Sequence, residues 1–135
     1  MGLLALVLTA CGGGGTSIPP ATRAVFPNLP TLTHIARRAA SGESVHEALV
    51  YSTTRLSAFR AGTGANPKPP NQRVDVIVLE GQFVCQMCSP PAGAPAPRGH
   101  VETFVFVPGR GVEDFGLVRG PPGPQMGRAY ALPIK

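Results

Sequence analysis

The stretch Arg73-Val74-Asp75-Val76-Ile77-Val78-Leu79-Glu80-Gly81-Gln82-Phe83-Val84 decides the fold. Successive side chains of an extended chain point to opposite sides. Val74, Val76 and Val78 therefore share one face, and Ile77, Leu79 and Phe83 the other. A strand that is apolar on both faces is covered on both, which places it in the middle of a sheet. Its neighbours follow the same alternation. In residues 101–107 (VETFVFV), Val101, Val105 and Val107 oppose Phe104 and Phe106. Pro108-Gly109-Arg110-Gly111 is a compact turn, and residues 112–118 (VEDFGLV) return with Phe115 and Leu117 on one face, which makes a hairpin.

Upstream, residues 48–53 (ALVYST) are β-rich, residues 54–60 read as a short helix capped by Thr54, and residues 61–72 as a Gly/Pro-rich loop. Residues 31–40 carry Leu32, Ile35, Ala36, Ala39 and Ala40 at helical spacing, with Asn28 or Thr31 as cap and Ser41-Gly42 as stop. A helix this short is unstable alone and must pack on the sheet. The fold class expected is α+β. One N-terminal helix packs on a curved, mainly antiparallel four-stranded sheet, with irregular Gly/Pro-rich N- and C-terminal segments. The expected organisation is a signal peptide at 1–10, a lipidated cysteine and flexible linker at 11–30, one domain at 31–118, and a Pro-rich basic tail at 119–135. That tail is free of acids and drapes over the domain through Tyr130, Leu132 and Ile134.

Composition narrows the class. The 135 residues include 17 Gly and 16 Pro, roughly a quarter, against about 12% in average usage. That excludes a coiled coil or long helical bundle. The glycines have no period of three, so the chain is not collagen-like. With 43% hydrophobic residues and only 14% charged, it is not a disordered chain either.

The nine apolar residues 2–10 (GLLALVLTA) are too short to span a bilayer and suit a signal sequence. The run Leu8-Thr9-Ala10-Cys11 resembles the lipobox of bacterial lipoproteins. The resemblance implies acylation of Cys11 and cleavage before it, and the Gly12 to Gly15 run suits a tether. The Met1 amine is the only positive charge before the apolar run, so either it suffices or the start lies upstream.

Gly81-Gln82-Phe83-Val84-Cys85-Gln86-Met87-Cys88, followed by Pro90, Pro91, Gly93 and Pro97-Arg98-Gly99, resembles a motif in small lipoproteins of high-GC bacteria. The helix-plus-hairpin plan ending in Val112-Glu113-Asp114-Phe115 is similar to PepSY-like domains. The first resemblance implies no activity. The second implies protease inhibition outside the cytoplasm, by analogy of fold alone.

With Cys11 acylated, Cys85 and Cys88 form an even pair. Three readings stand. A structural disulfide suits an oxidising compartment and a small core. A redox dithiol lacks the helix N-terminus that lowers a thiol pKa, because Ser89-Pro90-Pro91 follows. Zinc would need His100 and a fourth ligand from His34, His46 or an acid, and there is no second CxxC. No metal site is assigned. The proline-rich residues 89–98 are a rigid connection or a preformed segment for a partner.

Glu43, Glu47, Asp75, Glu80, Glu102, Glu113 and Asp114 read as solvated or turn-facing acids, not a catalytic dyad. There is no Gly-x-Ser-x-Gly elbow, P-loop, dinucleotide fingerprint or metalloprotease helix motif. The net charge of +5 is dispersed, without the basic stripe and aromatic platform of a nucleic-acid binder. The function expected is a lipid-anchored, extracytoplasmic binding or inhibitory module of the bacterial cell envelope, held to the cell membrane through Cys11. Its partner would be an envelope protein or an anionic wall or headgroup polymer, not nucleic acid. No enzyme activity and no cofactor are expected. The alternative is a redox-active or metal-binding envelope protein using Cys85 and Cys88.

Overall fold

A computed structural model of the chain describes residues 18–62, 69–85, 89–118 and 120–134. In chain order the elements are α1 (Pro20–Val25), α2 (Leu29–Ala40), β1 (Ser44–Thr54), α3 (Arg55–Gly62), β2 (Arg73–Val84), β3 (Arg98–Val107), β4 (Gly111–Val118), a 3₁₀ turn (Pro124–Met126) and β5 (Ala129–Ala131). The fold is α+β, and the five strands form one sheet in the order β4-β3-β2-β1-β5. Every pairing is antiparallel. β2 is central, as its two apolar faces require. Val74, Val76 and Val78 join Tyr51, Ala58, Val101, Val105, Val107 and Met126 in one cluster. Ile77, Leu79 and Phe83 join Phe26, Leu32, Ala36, Ala48, Val50 and Phe106 in the other.

The helix and hairpin stand where the pattern puts them. α2 buries Leu32 and Ala36 and half-buries Ile35, Ala39 and Ala40. It begins earlier than expected, with Leu29 at N1 and Pro30 at N2, where a missing N–H costs nothing. Asn28 is its N-cap residue but makes no side-chain cap hydrogen bond. Past its end, Gly42 takes a positive φ of 78°. Thr54 does cap α3: the Ser57 N–H donates to Thr54 Oγ1 at 3.2 Å. The β3–β4 turn closes through Arg110 N–H to the Val107 carbonyl at 2.9 Å. The Phe115 side chain lies outside the described residues.

Three expectations are corrected. The sheet has five strands, not four, because residues 129–131 pair with β1. Leu132 N–H then donates to the Ala48 carbonyl at 2.9 Å, and its side chain is buried. The C-terminal segment is thus built into the sheet, and Met126 of its 3₁₀ turn fills the other core. Two helices, not one, precede β1. α1 lies in the segment read as linker, and Phe26, only 1% exposed, anchors it in the core. The Phe26 ring meets Tyr130 edge-on at 5.3 Å between centroids, which joins the two chain ends. Arg37 Nε donates to the Pro133 carbonyl at 3.2 Å, and Arg73 donates to the Val25 carbonyl at 2.6 Å.

The third correction concerns the acids. Asp75 is fully buried on the helix-side face, 3.4 Å from Arg73. Burial pushes its carboxyl above the usual range, and Arg73 pulls the other way. Its Oδ2 has no hydrogen-bond partner among the described residues. Glu113 accepts from the buried Arg55 guanidinium at 2.7 Å and so ties β4 to the start of α3.

Candidate functional site

Among the described residues, α1 and α2 do not cover the whole of their face of the sheet. α2 packs on β1 and β2. Beyond its edge lies a groove of about 1210 Å³ whose walls are α2 and whose floor is the helix-side face of β3 and β4. One row of cross-strand neighbours shows how it arises. Ala48 pairs with Leu79, Leu79 with Glu102, and Glu102 with Leu117. Ala48 and Leu79 lie in the core, whereas Glu102 and Leu117 line the groove and are half-buried. Phe104, one pleat along from Glu102, adds an aromatic ring to the floor, and Ile35 of α2 faces it from the wall.

The rim is basic. His34 and Arg38 come from the outer side of α2, and Arg98 and His100 from the start of β3; all four are exposed. Among the described residues, neither guanidinium has a hydrogen-bond or ion-pair partner. Arg37, Arg55 and Arg73 are by contrast committed to Pro133, Glu113 and Val25. His100 Nδ1 lies 3.3 Å from the Gly81 carbonyl oxygen, so in the Nδ1–H tautomer it donates there. Burial raises the Glu102 carboxyl above its usual range, and the charge of nearby Glu43, also in the groove, adds to the rise.

Gly81 shapes this end of the sheet. β2 is bulged against β3 between Glu80 and Phe83, and against β1 the register shifts between Val45 and Glu47. A Cβ on Gly81 would collide with the Ser44 carbonyl oxygen, so only glycine lets β1 approach there.

Of the residues singled out in the sequence, Cys11 and Cys88 lie outside the described residues. Cys85 is disulfide-bonded and lines the end of the groove. Its N–H donates to the Pro97 carbonyl at 2.8 Å, which clips the base of the proline-rich loop; the loop itself is mostly exposed. His34 and His100 both line the groove, and His46 does not. His46 sits instead with Glu47 and Glu80, the one convergence of three metal-ligating side chains among the described residues. It is exposed and lies at the β1 bulge. Glu80 there is raised first by a side-chain hydrogen bond that its protonated carboxyl donates to Glu47.

Sequence reading missed Arg38, Arg98, Glu102 and Leu117 as groove residues. One signal was present. On β3, Glu102 interrupts the face that carries Phe104 and Phe106, although the acid in the same kind of pattern on β2, Asp75, is fully buried.

No protein-family model matches the chain, no curated protein matches it, and no solved structure matches it. Among the described residues, no helix is long and apolar enough to cross a membrane.

Proposed function

We propose that the chain is a lipid-anchored, extracytoplasmic binding or inhibitory module of the cell envelope, and that the groove beside α2 is its binding site. The carrying observation is the part of the helix-side face that the described residues leave uncovered: Phe104 and Leu117 floor an open groove while Ile77 and Leu79, in the same cross-strand rows, are fully buried. An apolar cleft with a few convergent polar groups is the usual form of a ligand site. The anchor rests on the residues before and at Cys11. The Cys85 disulfide, with Cys88 as its proposed partner, serves as a structural clamp at the groove's end.

The test is a titration of the full chain with Nile red, an uncharged dye that fluoresces in apolar clefts. Saturable binding of one dye per chain, abolished by Leu117→Asp, supports the reading. Binding unchanged by that substitution contradicts it. Cys11→Ser is expected to release the protein from the membrane fraction; retention there would remove the anchor. The clamp predicts a reduction potential below about −300 mV, and a value in the range of about −120 to −230 mV would favour redox cycling instead.

A further inference from the structure

We propose that the groove takes an anionic lipid, with one acyl chain laid along the floor and the headgroup held by Arg38 and Arg98. The inference rests on the groove being the chain's binding site and names its ligand class. Three observations carry it. The groove, at about 1210 Å³, exceeds the roughly 300–1,000 Å³ of ordinary small-molecule clefts and is open, which suits a long occupant. Its floor between α2 and β4 is apolar from Ile35 through Phe104 to Leu117, apart from the Glu102 carboxyl. Its exposed rim carries two guanidiniums with no partner among the described residues, whereas Arg37, Arg55 and Arg73 are engaged and Arg23 and Arg110, also unpartnered there, lie outside the groove. A guanidinium presents a fork of donors that matches a phosphate or carboxylate.

The carboxyls of the groove fix the sign of the pH dependence. Glu102 and Glu43 repel an anionic headgroup when ionised, whereas His34 and His100 attract it when protonated. Lowering the pH neutralises Glu102, whose carboxyl burial already raises, so binding tightens. An acyl chain over Glu102 also favours its neutral form, in the direction that burial already pushes it.

The experiment uses the full chain carrying Cys11→Ser, so that its own acyl anchor cannot compete. It is titrated below micellar concentrations with 16-carbon lysophosphatidylglycerol, with lysophosphatidylcholine of the same chain length, and with glycerol 3-phosphate. The expected result is one lysophosphatidylglycerol per chain, bound at least tenfold more tightly than lysophosphatidylcholine, with no binding of glycerol 3-phosphate. The double variant Arg38→Gln, Arg98→Gln should lose at least tenfold in affinity for lysophosphatidylglycerol and little for lysophosphatidylcholine. Both arginines are exposed, so the variant keeps the fold. Equal affinity for the two lipids, or indifference to the arginine changes, overturns the headgroup assignment. Binding of glycerol 3-phosphate as tight as that of the lipid overturns the acyl assignment. If neither lipid binds but Nile red still does, the lipid inference fails and the groove reading stands. If Nile red also fails to bind, both fall.

Discussion

The helix-side face of the sheet has two halves of similar composition and opposite fate. Under β1, β2 and β5, Val50, Ile77, Leu79 and Leu132 are sealed by Phe26, Leu32 and Ala36. Across β3 and β4, Phe104 and Leu117 stand in the same pleated rows and remain partly open, and only Phe106 at the far end of that β3 face reaches the sealed core. The difference comes from the chain ends. α1 and the residues around β5 fold back on one half only and are joined there by Phe26 and Tyr130. Alternation along a strand says which face a residue takes; the routing of distant segments says whether that face is closed.

The largest effect expected from this contrast is on stability. Phe26→Ala in the sealed half should cost about 3–5 kcal/mol, read from urea unfolding. Leu117→Ala in the open half should cost less than about 1.5 kcal/mol, because its side chain is only half-buried. Similar costs at the two positions would show that the halves are equally packed and would remove the contrast.

Next comes the tie that holds the open half's outer strand. Glu113→Gln leaves the buried Arg55 guanidinium facing a neutral partner and should cost about 1–3 kcal/mol. A change under about 0.5 kcal/mol would mean that the pair behaves as an ordinary surface salt bridge.

How much of this was legible follows from the same physics. The two-sided β2, the β3–β4 hairpin, the body of α2 and the Thr54 cap could be read because each is written in local periodicity or in a capping residue. α1 and β5 could not. Six residues that begin at Pro20 behind a Pro19 cap, and a three-residue strand, Ala129-Tyr130-Ala131, have no measurable period, and both are held by burial of side chains from elsewhere. The groove was illegible for the same reason, since it is what remains where those segments do not reach. Asp75 was misread because an acid inside an alternating strand looks like a solvent-facing position. Here α1 and α2 cover that face, and Arg73 is its charged neighbour.

Asp75 sharpens the contrast by pH. Its folded pKa is raised, so its protonated form is the one the fold favours. That contribution is fully present below the unfolded aspartate pKa of about 3.9 and is lost as pH rises through the raised folded value. In urea unfolding between about pH 4 and pH 8, Asp75→Asn should therefore flatten the decline in stability towards neutral pH. An unchanged slope would place the titration elsewhere. The smallest effect expected is in the open half, where Glu102→Gln should leave stability nearly unchanged and weaken the pH dependence of lysophosphatidylglycerol binding. A large stability loss there would mean that Glu102 belongs to the core.

The most direct test of the central claim maps the ligand onto the two halves. In nuclear magnetic resonance of the ¹⁵N-labelled full chain carrying Cys11→Ser, titrated with lysophosphatidylglycerol, shifts should concentrate at Ile35, Arg38, Arg98, Glu102, Phe104 and Leu117. Val50, Ile77, Leu79 and Leu132 of the sealed half should stay in place. Shifts centred on the sealed half or on the proline-rich residues 89–97, with the groove residues silent, would contradict the account.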